Sequence, residues 1–248
     1  MISKRYAIHV ARLGALVLLV AAPSVQALRP FDGTDADVAK LDSFELEAGV
    51  GQARFGPQRQ SSVPALVGNW GVAPDTELVL EGVMERRQGD VPAGERRTVL
   101  DGGALSLKHV FRRGSLQDEP GISFATECNL QLPSIGASPG TGFGCAAIVS
   151  QRLDWLSVHL NVALERTREH SNERGAGVIL QGPDDWPLRP VAEVTLTGSV
   201  GGGREHSTLA GLVYQQSETL AFDLGVRRVE GGSGRQDEVR LGLTWSTR

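Results

Sequence analysis

The sequence predicts an all-β protein that folds as a closed antiparallel up-and-down transmembrane β-barrel of about 12 strands. The first observation is an N-terminal segment with the layout of a secretory signal. The second is a series of alternating apolar and polar segments that reach the ~9–11 residues a tilted strand needs to cross a bilayer. The third is that short and long connections roughly alternate, as they do in outer-membrane barrels.

The N-terminus is a predicted signal peptide covering residues 1–27. Basic residues Lys4, Arg5 and Arg12 accompany the apolar run 13–22, and Val25-Gln26-Ala27 forms a small-residue cleavage pattern. The run is too short for a membrane-spanning helix, which needs ~20 residues. We therefore expect export across the inner membrane of a Gram-negative bacterium.

Residues 28–42 are predicted to be a flexible periplasmic N-terminal tail ahead of a barrel that covers residues 43–248. The tail contains the acidic stretch DGTDAD, whose oxygens are of the type that binds calcium. The stretch lacks the full spacing of a calcium loop, so no metal site is predicted. No cofactor is predicted either.

Twelve strand-like segments follow the tail. In the fifth, PGISFATECNLQLP, Ile122, Phe124 and Leu130 alternate with polar Glu127 and Asn129. A period of two places the two sets on opposite faces of a strand. The predicted strands are 43–55, 61–72, 75–87, 97–112, 120–132, 141–152, 154–168, 172–181, 187–200, 206–216, 218–229 and 236–247.

The apolar face could meet either lipid or the core of a soluble sandwich. Closing the sheet would remove the exposed edges of these long strands, and interfacial aromatic residues should gather at strand ends in a membrane barrel. Both points favour the barrel with its apolar face outward. Seven aromatic residues on the apolar face fall near one predicted rim: Phe44, Trp70, Phe111, Phe124, Tyr214, Phe222 and Trp245.

The polar face of a membrane barrel would line the lumen. Charges on this face would set solute selectivity through their local field. His159 and Asn161 share that face, but no nucleophile accompanies them, and no catalytic residue or enzymatic activity is predicted. The predicted lumen-lining residues are Glu77, Glu81, Lys108, Glu127, Asn129, His159, Asn161, Glu193, Asp223, Arg227 and Arg240.

Cys128 and Cys145 lie nearly symmetrically about the connection between the fifth and sixth predicted strands. Residues facing each other in a hairpin lie within disulfide range, and export leads to an oxidising compartment. A one-residue change of register would put the two side chains on opposite faces. A cross-strand disulfide and two lipid-facing thiols therefore both remain open.

Several short segments occur in an order that resembles a known family. They are RPFDGTDADVAKLDSFELEAGV, PGISFATECNLQLP, HLNVALE, RPVAEVT, LAFDLGVRR and LGLTW. Together they are similar to the outer-membrane barrel transporter family named for the meta-pathway of phenol degradation. The resemblance implies an outer-membrane barrel that passes small, including aromatic, molecules. The chain ends in Ser246-Thr247-Arg248, whereas many outer-membrane barrels end in an aromatic residue.

The predicted function is passive passage of small molecules, including aromatic or hydrophobic ones, through an outer-membrane β-barrel. The expected partners are outer-membrane lipid, a small-molecule solute and the barrel-assembly machinery. The net charge of −4 makes nucleic acid an unsuitable partner. Three alternatives stay open. They are a non-conducting structural or surface barrel, a soluble periplasmic ligand-binding β-protein and an outer-membrane hydrolase, of which the sequence supports the hydrolase poorly.

Overall fold

The structure, a computed structural model, describes residues 30–56, 58–89, 96–136, 139–199, 202–232 and 234–247. The predicted signal peptide, residues 1–27, lies outside these described residues. Twelve strands form one closed antiparallel barrel, which confirms the predicted fold class. A single turn of 3₁₀ helix, Ser115–Gln117, lies between β4 and β5. The strands are β1 Phe44–Phe55, β2 Gln58–Ala73, β3 Thr76–Gln88, β4 Thr98–Arg112, β5 Ser123–Gln131, β6 Gly142–Leu153, β7 Leu156–Arg166, β8 Asn172–Gln181, β9 Leu188–Ser199, β10 Arg204–Ser217, β11 Leu220–Gly231 and β12 Gly234–Ser246.

The barrel closes where the first and last strands pair. The β1–β12 register runs from Glu45 opposite Ser246 to Phe55 opposite Gln236. At the end of this seam, the Phe44 amide donates to Thr247 Oγ1 and the Thr247 amide donates to the Phe44 carbonyl, both at 2.7 Å. Closure leaves no unpaired strand edge, so strand N–H and C=O groups are satisfied within the sheet.

One irregularity has a local cause. The β2–β3 register shifts between Ser62 and Ala65, on either side of Pro64. Proline has no N–H to donate to the ladder, and a closed barrel offers no edge strand to accommodate it. The register shift instead leaves Pro64 outside the regular pairing of β2 with β3.

We call the end of the barrel at which β1 begins and β12 ends the terminal rim. The connections after β2, β4, β6, β8 and β10 lie at this rim, and those after the odd-numbered strands lie at the opposite end, the loop rim. No helix among the described residues is long and apolar enough to cross a membrane.

The outer and inner faces of the barrel have opposite character. Aliphatic side chains on the outer face are exposed, for example Leu80 at 57% and Leu164 at 68%. On the inner face Glu47, Lys108 and Glu193 are almost completely buried. This is the reverse of the usual arrangement in a soluble protein.

Residues 30–42 run from the terminal rim into the barrel rather than forming the flexible tail that the sequence predicts. Ala36 packs in an internal cluster with Leu116 and Ile148, and Phe31 packs against Val191 and Val213. Backbone and side-chain hydrogen bonds to the inner wall hold the segment in place. We call residues 30–42 the plug.

Candidate functional site: the barrel lumen

All eleven residues predicted to line the lumen lie on the inner side of the wall. Lys108 and His159 are buried near the terminal rim, beside the plug. The other members of the set line a cavity that opens towards the loop rim, with Glu77 and Glu127 level with Lys108 as its register partners. They are Glu77, Glu81, Glu127, Asn129, Asn161, Glu193, Asp223, Arg227 and Arg240.

The loop-rim end of the plug is held by Glu193 on β9. Its carboxylate accepts the backbone N–H groups of Asp32 at 2.7 Å and of Gly33 at 2.8 Å. Arg227 Nε donates to Asp32 Oδ2 at 2.6 Å, and Arg240 Nη1 donates to Asp32 Oδ1 at 2.8 Å. The plug therefore meets one wall carboxylate with its amides and two wall guanidiniums with its side chain.

Thr34 lies at the middle of the plug and makes a reciprocal pair with Asn161. The Thr34 amide donates to Asn161 Oδ1 at 3.2 Å, and Asn161 Nδ2 donates to the Thr34 carbonyl at 2.8 Å. Lys108 Nζ donates to Thr34 Oγ1 at 3.1 Å. This one residue of the plug thus contacts both β7 and β4.

Lys108 is the centre of a buried ion cluster. Its ammonium lies 3.6 Å from Asp35 of the plug and 3.4 Å from Glu77 of β3. Glu77 also accepts the Ala39 amide at 2.6 Å. A charge buried in this way needs partners to offset the loss of hydration, so cluster and plug depend on each other.

The buried His159 belongs to the plug contacts as well. Its Nδ1 lies 2.9 Å from Ser150 Oγ, and the same hydroxyl accepts the Ala36 amide at 2.9 Å. Since the hydroxyl accepts from Ala36, its hydrogen is available to donate to Nδ1. This histidine and serine therefore anchor the plug.

Near the terminal rim the 3₁₀ turn after β4 closes over the plug. Gln117 Nε2 donates to the Ala36 carbonyl at 2.8 Å and to Asp37 at 3.0 Å. Burial, reinforced by the nearby Asp35 carboxylate, raises the pKa of Asp37 to about 6. This is the connection whose length departs from the short turns expected at this rim.

Glycines on the inner wall make room for the plug. A Cβ at Gly71 would overlap the Lys40 carbonyl oxygen, and a Cβ at Gly225 would lie 2.8 Å from Pro30. At Gly71 the plug backbone and at Gly225 the Pro30 ring come so close to the wall that only glycine fits. These glycines, together with Ser150, Gln117 and Glu238, are lumen residues that the predicted set omits.

Above the plug the lumen opens into a cavity of about 790 Å³, whose lining includes residues 30–34 of the plug. Its described lining contains nine acidic residues and two basic ones, Arg227 and Arg240. Both guanidiniums lie within 3.6 Å of Glu238 as well as contacting Asp32. The sequence predicts that these arginines set the local field, and the structure shows them already paired with carboxylates.

Cys128 and Cys145 are paired in a disulfide. They are direct partners in the β5–β6 register, and their Cα atoms are 4.0 Å apart. Both alternate with inward residues such as Glu127 and Ala146, so the disulfide lies on the outer face of the barrel.

The seven predicted interface aromatics lie near the terminal rim. Phe44 pairs with Trp70, Tyr214 with Phe222, and Leu220 with Trp245 in the sheet registers. Phe111 and Phe124 pack with ring centroids 6.1 Å apart.

Comparisons with known proteins show the fold. No protein-family model matches this chain, and no curated protein matches it in sequence. Its structure is similar to an outer-membrane channel from Pseudomonas putida F1, with a TM-score of 0.63, 10% identity, and 88% of this chain and 100% of that chain covered. It is also similar to the NanC porin, with a TM-score of 0.58, 8% identity, and 81% and 98% covered. The KdgM porin gives a TM-score of 0.57, 14% identity, and 82% and 99% covered.

Proposed function

We propose that this protein is an outer-membrane β-barrel channel that passes small solutes. The observation that carries the proposal is the inversion of the barrel, with exposed aliphatic side chains outside and buried charges inside. Exposing these aliphatic side chains around the whole barrel is unfavourable in water and favourable in contact with lipid acyl chains. The same observation disfavours the soluble ligand-binding alternative. The similar structures, a channel and two porins, agree with this role.

The aromatic residues at the terminal rim support the membrane orientation. Tryptophan, tyrosine and phenylalanine collect where the bilayer meets water. In this orientation the terminal rim, where β1 begins and β12 ends, faces the periplasm. The signal-like layout of residues 1–27 is consistent with export to that compartment.

The cavity favours neutral or positively charged small molecules. Nine lining carboxylates against two paired guanidiniums give it a negative field that repels anions. Val67, Val79 and Val83 supply an apolar strip on the same wall. An apolar strip beside acidic groups suits a small aromatic or amine solute, in keeping with the family that the sequence resembles.

The plug restricts passage in the state described. A solute reaches the periplasm only if residues 30–42 move, because their contacts with Glu193, Asn161 and Lys108 cross the lumen. These same contacts favour a second candidate, a closed barrel with a structural role. Both candidates have the same fold and membrane location, so a measurement of conductance distinguishes them.

Planar-bilayer recording tests the proposal. The purified mature chain is expected to insert and to show single-channel events with cations carrying most of the current. A barrel that inserts, shows the heat-modifiable gel mobility of a folded barrel, and stays silent with inorganic ions and a panel of aromatic solutes would favour the closed barrel. Release of the chain into buffer by carbonate extraction of cells would contradict membrane insertion altogether.

A further inference from the structure

Three arginines form a compact basic cluster on the outer face of the barrel at the loop rim. Arg166 ends β7, Arg174 begins β8 and Arg204 begins β10, and all three side chains are exposed. We call these three residues the arginine cluster. Strand alternation directs the neighbouring Glu165 and Glu173 to the inner face and the arginines outward.

The sheet register brings the cluster together. Arg174 pairs with Gly198 on β9, and Gly198 pairs with Arg204, so two guanidinium-bearing strands flank a position that has no side chain. Two strand spacings separate them, about 10 Å. Leu164 on β7 is the register partner of Arg174, and Arg166 is the next outward-facing residue of β7 after Leu164.

The cluster has no carboxylate to neutralise it among the described residues. None of its three guanidiniums makes an ion pair within those residues. Arg228 and Arg235 are different, because both contact Asp237, at 2.8 Å and 2.7 Å respectively. The three guanidiniums of the cluster are therefore not held by a carboxylate, whereas those of Arg228 and Arg235 are.

Directly below the cluster lies an apolar surface. Every outer position of β7, β8 and β9 from this row to the terminal rim is apolar. Val162 is 58% exposed, Leu164 68% and Leu196 60%. The surface thus offers guanidiniums above and aliphatic side chains below, the order in which a phospholipid-like molecule presents its phosphate and its chains.

We propose that the arginine cluster binds a phosphate group of a lipid in the outer leaflet, with the acyl chains of that lipid lying on Leu164 and Leu196. Guanidinium is suited to this role because its planar fork of N–H donors matches phosphate oxygens. This inference rests on the proposed function, which places the loop rim at the outer surface of the outer membrane. There the abundant phosphorylated lipid is of the lipid A class.

Binding of diphosphoryl lipid A to the purified barrel in detergent, followed by native mass spectrometry, tests the inference. The variant R166Q/R174Q/R204Q is expected to bind about 100-fold more weakly, since it removes three guanidiniums that each attract an anionic lipid surface. R228Q is the matched control because Arg228 is already paired with Asp237, and it should bind like the unaltered protein. Single variant R174Q, with heat-modifiable mobility as the folding check, keeps the test decisive if the triple variant fails to fold.

Further arms distinguish the sources of phosphate. Inorganic phosphate at millimolar concentration should not displace lipid A. Lipid A without its phosphates should bind the unaltered protein as weakly as diphosphoryl lipid A binds the triple variant. Equal binding by the triple variant, or equal competition by free phosphate, would overturn the inference. Conductance is measured separately: lipid A binding without conductance would refute the channel, and conductance without lipid A binding would refute the arginine cluster.

Discussion

Replacing Glu193 with alanine should release the loop-rim end of the plug. The Glu193 carboxylate accepts two backbone amides, from Asp32 and Gly33, at 2.7 and 2.8 Å. The methyl group of alanine accepts neither. Arg227 and Arg240 keep their contacts with Asp32, so the plug should loosen locally rather than leave the barrel.

The magnitude follows from these two bonds. A hydrogen bond to a charged group contributes about 1.5–3 kcal/mol. Two considerations reduce the sum for this pair, because cavity water can replace the lost acceptor and because the carboxylates of Asp32 and Glu193 repel each other. A net loss of about 2 kcal/mol corresponds to roughly a 30-fold larger open population of this segment.

Amide hydrogen exchange measures that open population directly. Mass spectrometry of a peptide covering residues 31–36 should show exchange about 30-fold faster in E193A, with E193Q in between because its amide oxygen still accepts without a full charge. Glu173 supplies the control, since it is another inward carboxylate that accepts from Ser199 rather than from the plug. If E193A and E173A protect this peptide equally, the plug does not depend on Glu193 and the derivation is wrong.

Three further outcomes are expected. K108M leaves Glu77 without its buried cation and should destabilise the barrel by about 3–5 kcal/mol, seen as a lower temperature for the heat-modifiable gel shift. Reduction of the Cys128–Cys145 disulfide, whose residues are separated by 17 positions, should lower the same transition by about 3 kcal/mol in the loop-entropy account. The pKa of Asp37 is raised to about 6, so as the pH falls the folded protein binds a proton at Asp37 before the unfolded chain does. The free energy of unfolding should therefore increase as the pH is lowered from 7 to 5, and D37N should reduce that increase. An unchanged gel transition in any of these comparisons would contradict the contact concerned.

The strands could be predicted because their signal is local. Every second residue of a strand faces the same side, so the alternation of apolar and polar residues in LSVHLNVALER is enough to predict β7. Two predicted strands have a weak pattern, 141–152 because it is rich in small residues and 172–181 because it is short, and both are present, as β6 Gly142–Leu153 and β8 Asn172–Gln181. The small residues of β6 have a structural reason, since a Cβ at Gly142 would meet the Gln131 side chain.

The plug could not be predicted in this way because its contacts are distant in sequence. Glu193 is 161 residues from Asp32, and Arg240 is 208 residues from it. Read alone, residues 28–42 have the acidic composition of a flexible segment. The signal that was available is indirect. Gly211 and Gly225 occupy inner positions where a barrel without a plug would need side chains to fill the lumen, and a Cβ at either would lie within 3.2 Å of Pro30.

The same limit applies to the lumen charges. Alternation assigns Arg227 and Arg240 to the inner face, which the structure places on the cavity wall. It does not reveal that Asp32 binds both of them. A face follows from the period of a strand, whereas a partner follows from the three-dimensional arrangement of several strands.

Adjacent charges of opposite sign show how strongly the register of this barrel is specified. Glu165-Arg166 and Glu173-Arg174 are consecutive pairs in which strand alternation sends the carboxylate inward and the guanidinium outward. A slip of one residue in β8 would turn Arg174 into the acidic lumen and Glu173 towards the apolar outer face, and would also bury Val178 among polar groups. Electrostatics and the hydrophobic effect therefore select the same register. The nearly balanced net charge of −4 conceals this separation, because acidic residues gather inside and unpaired arginines gather at one outer rim.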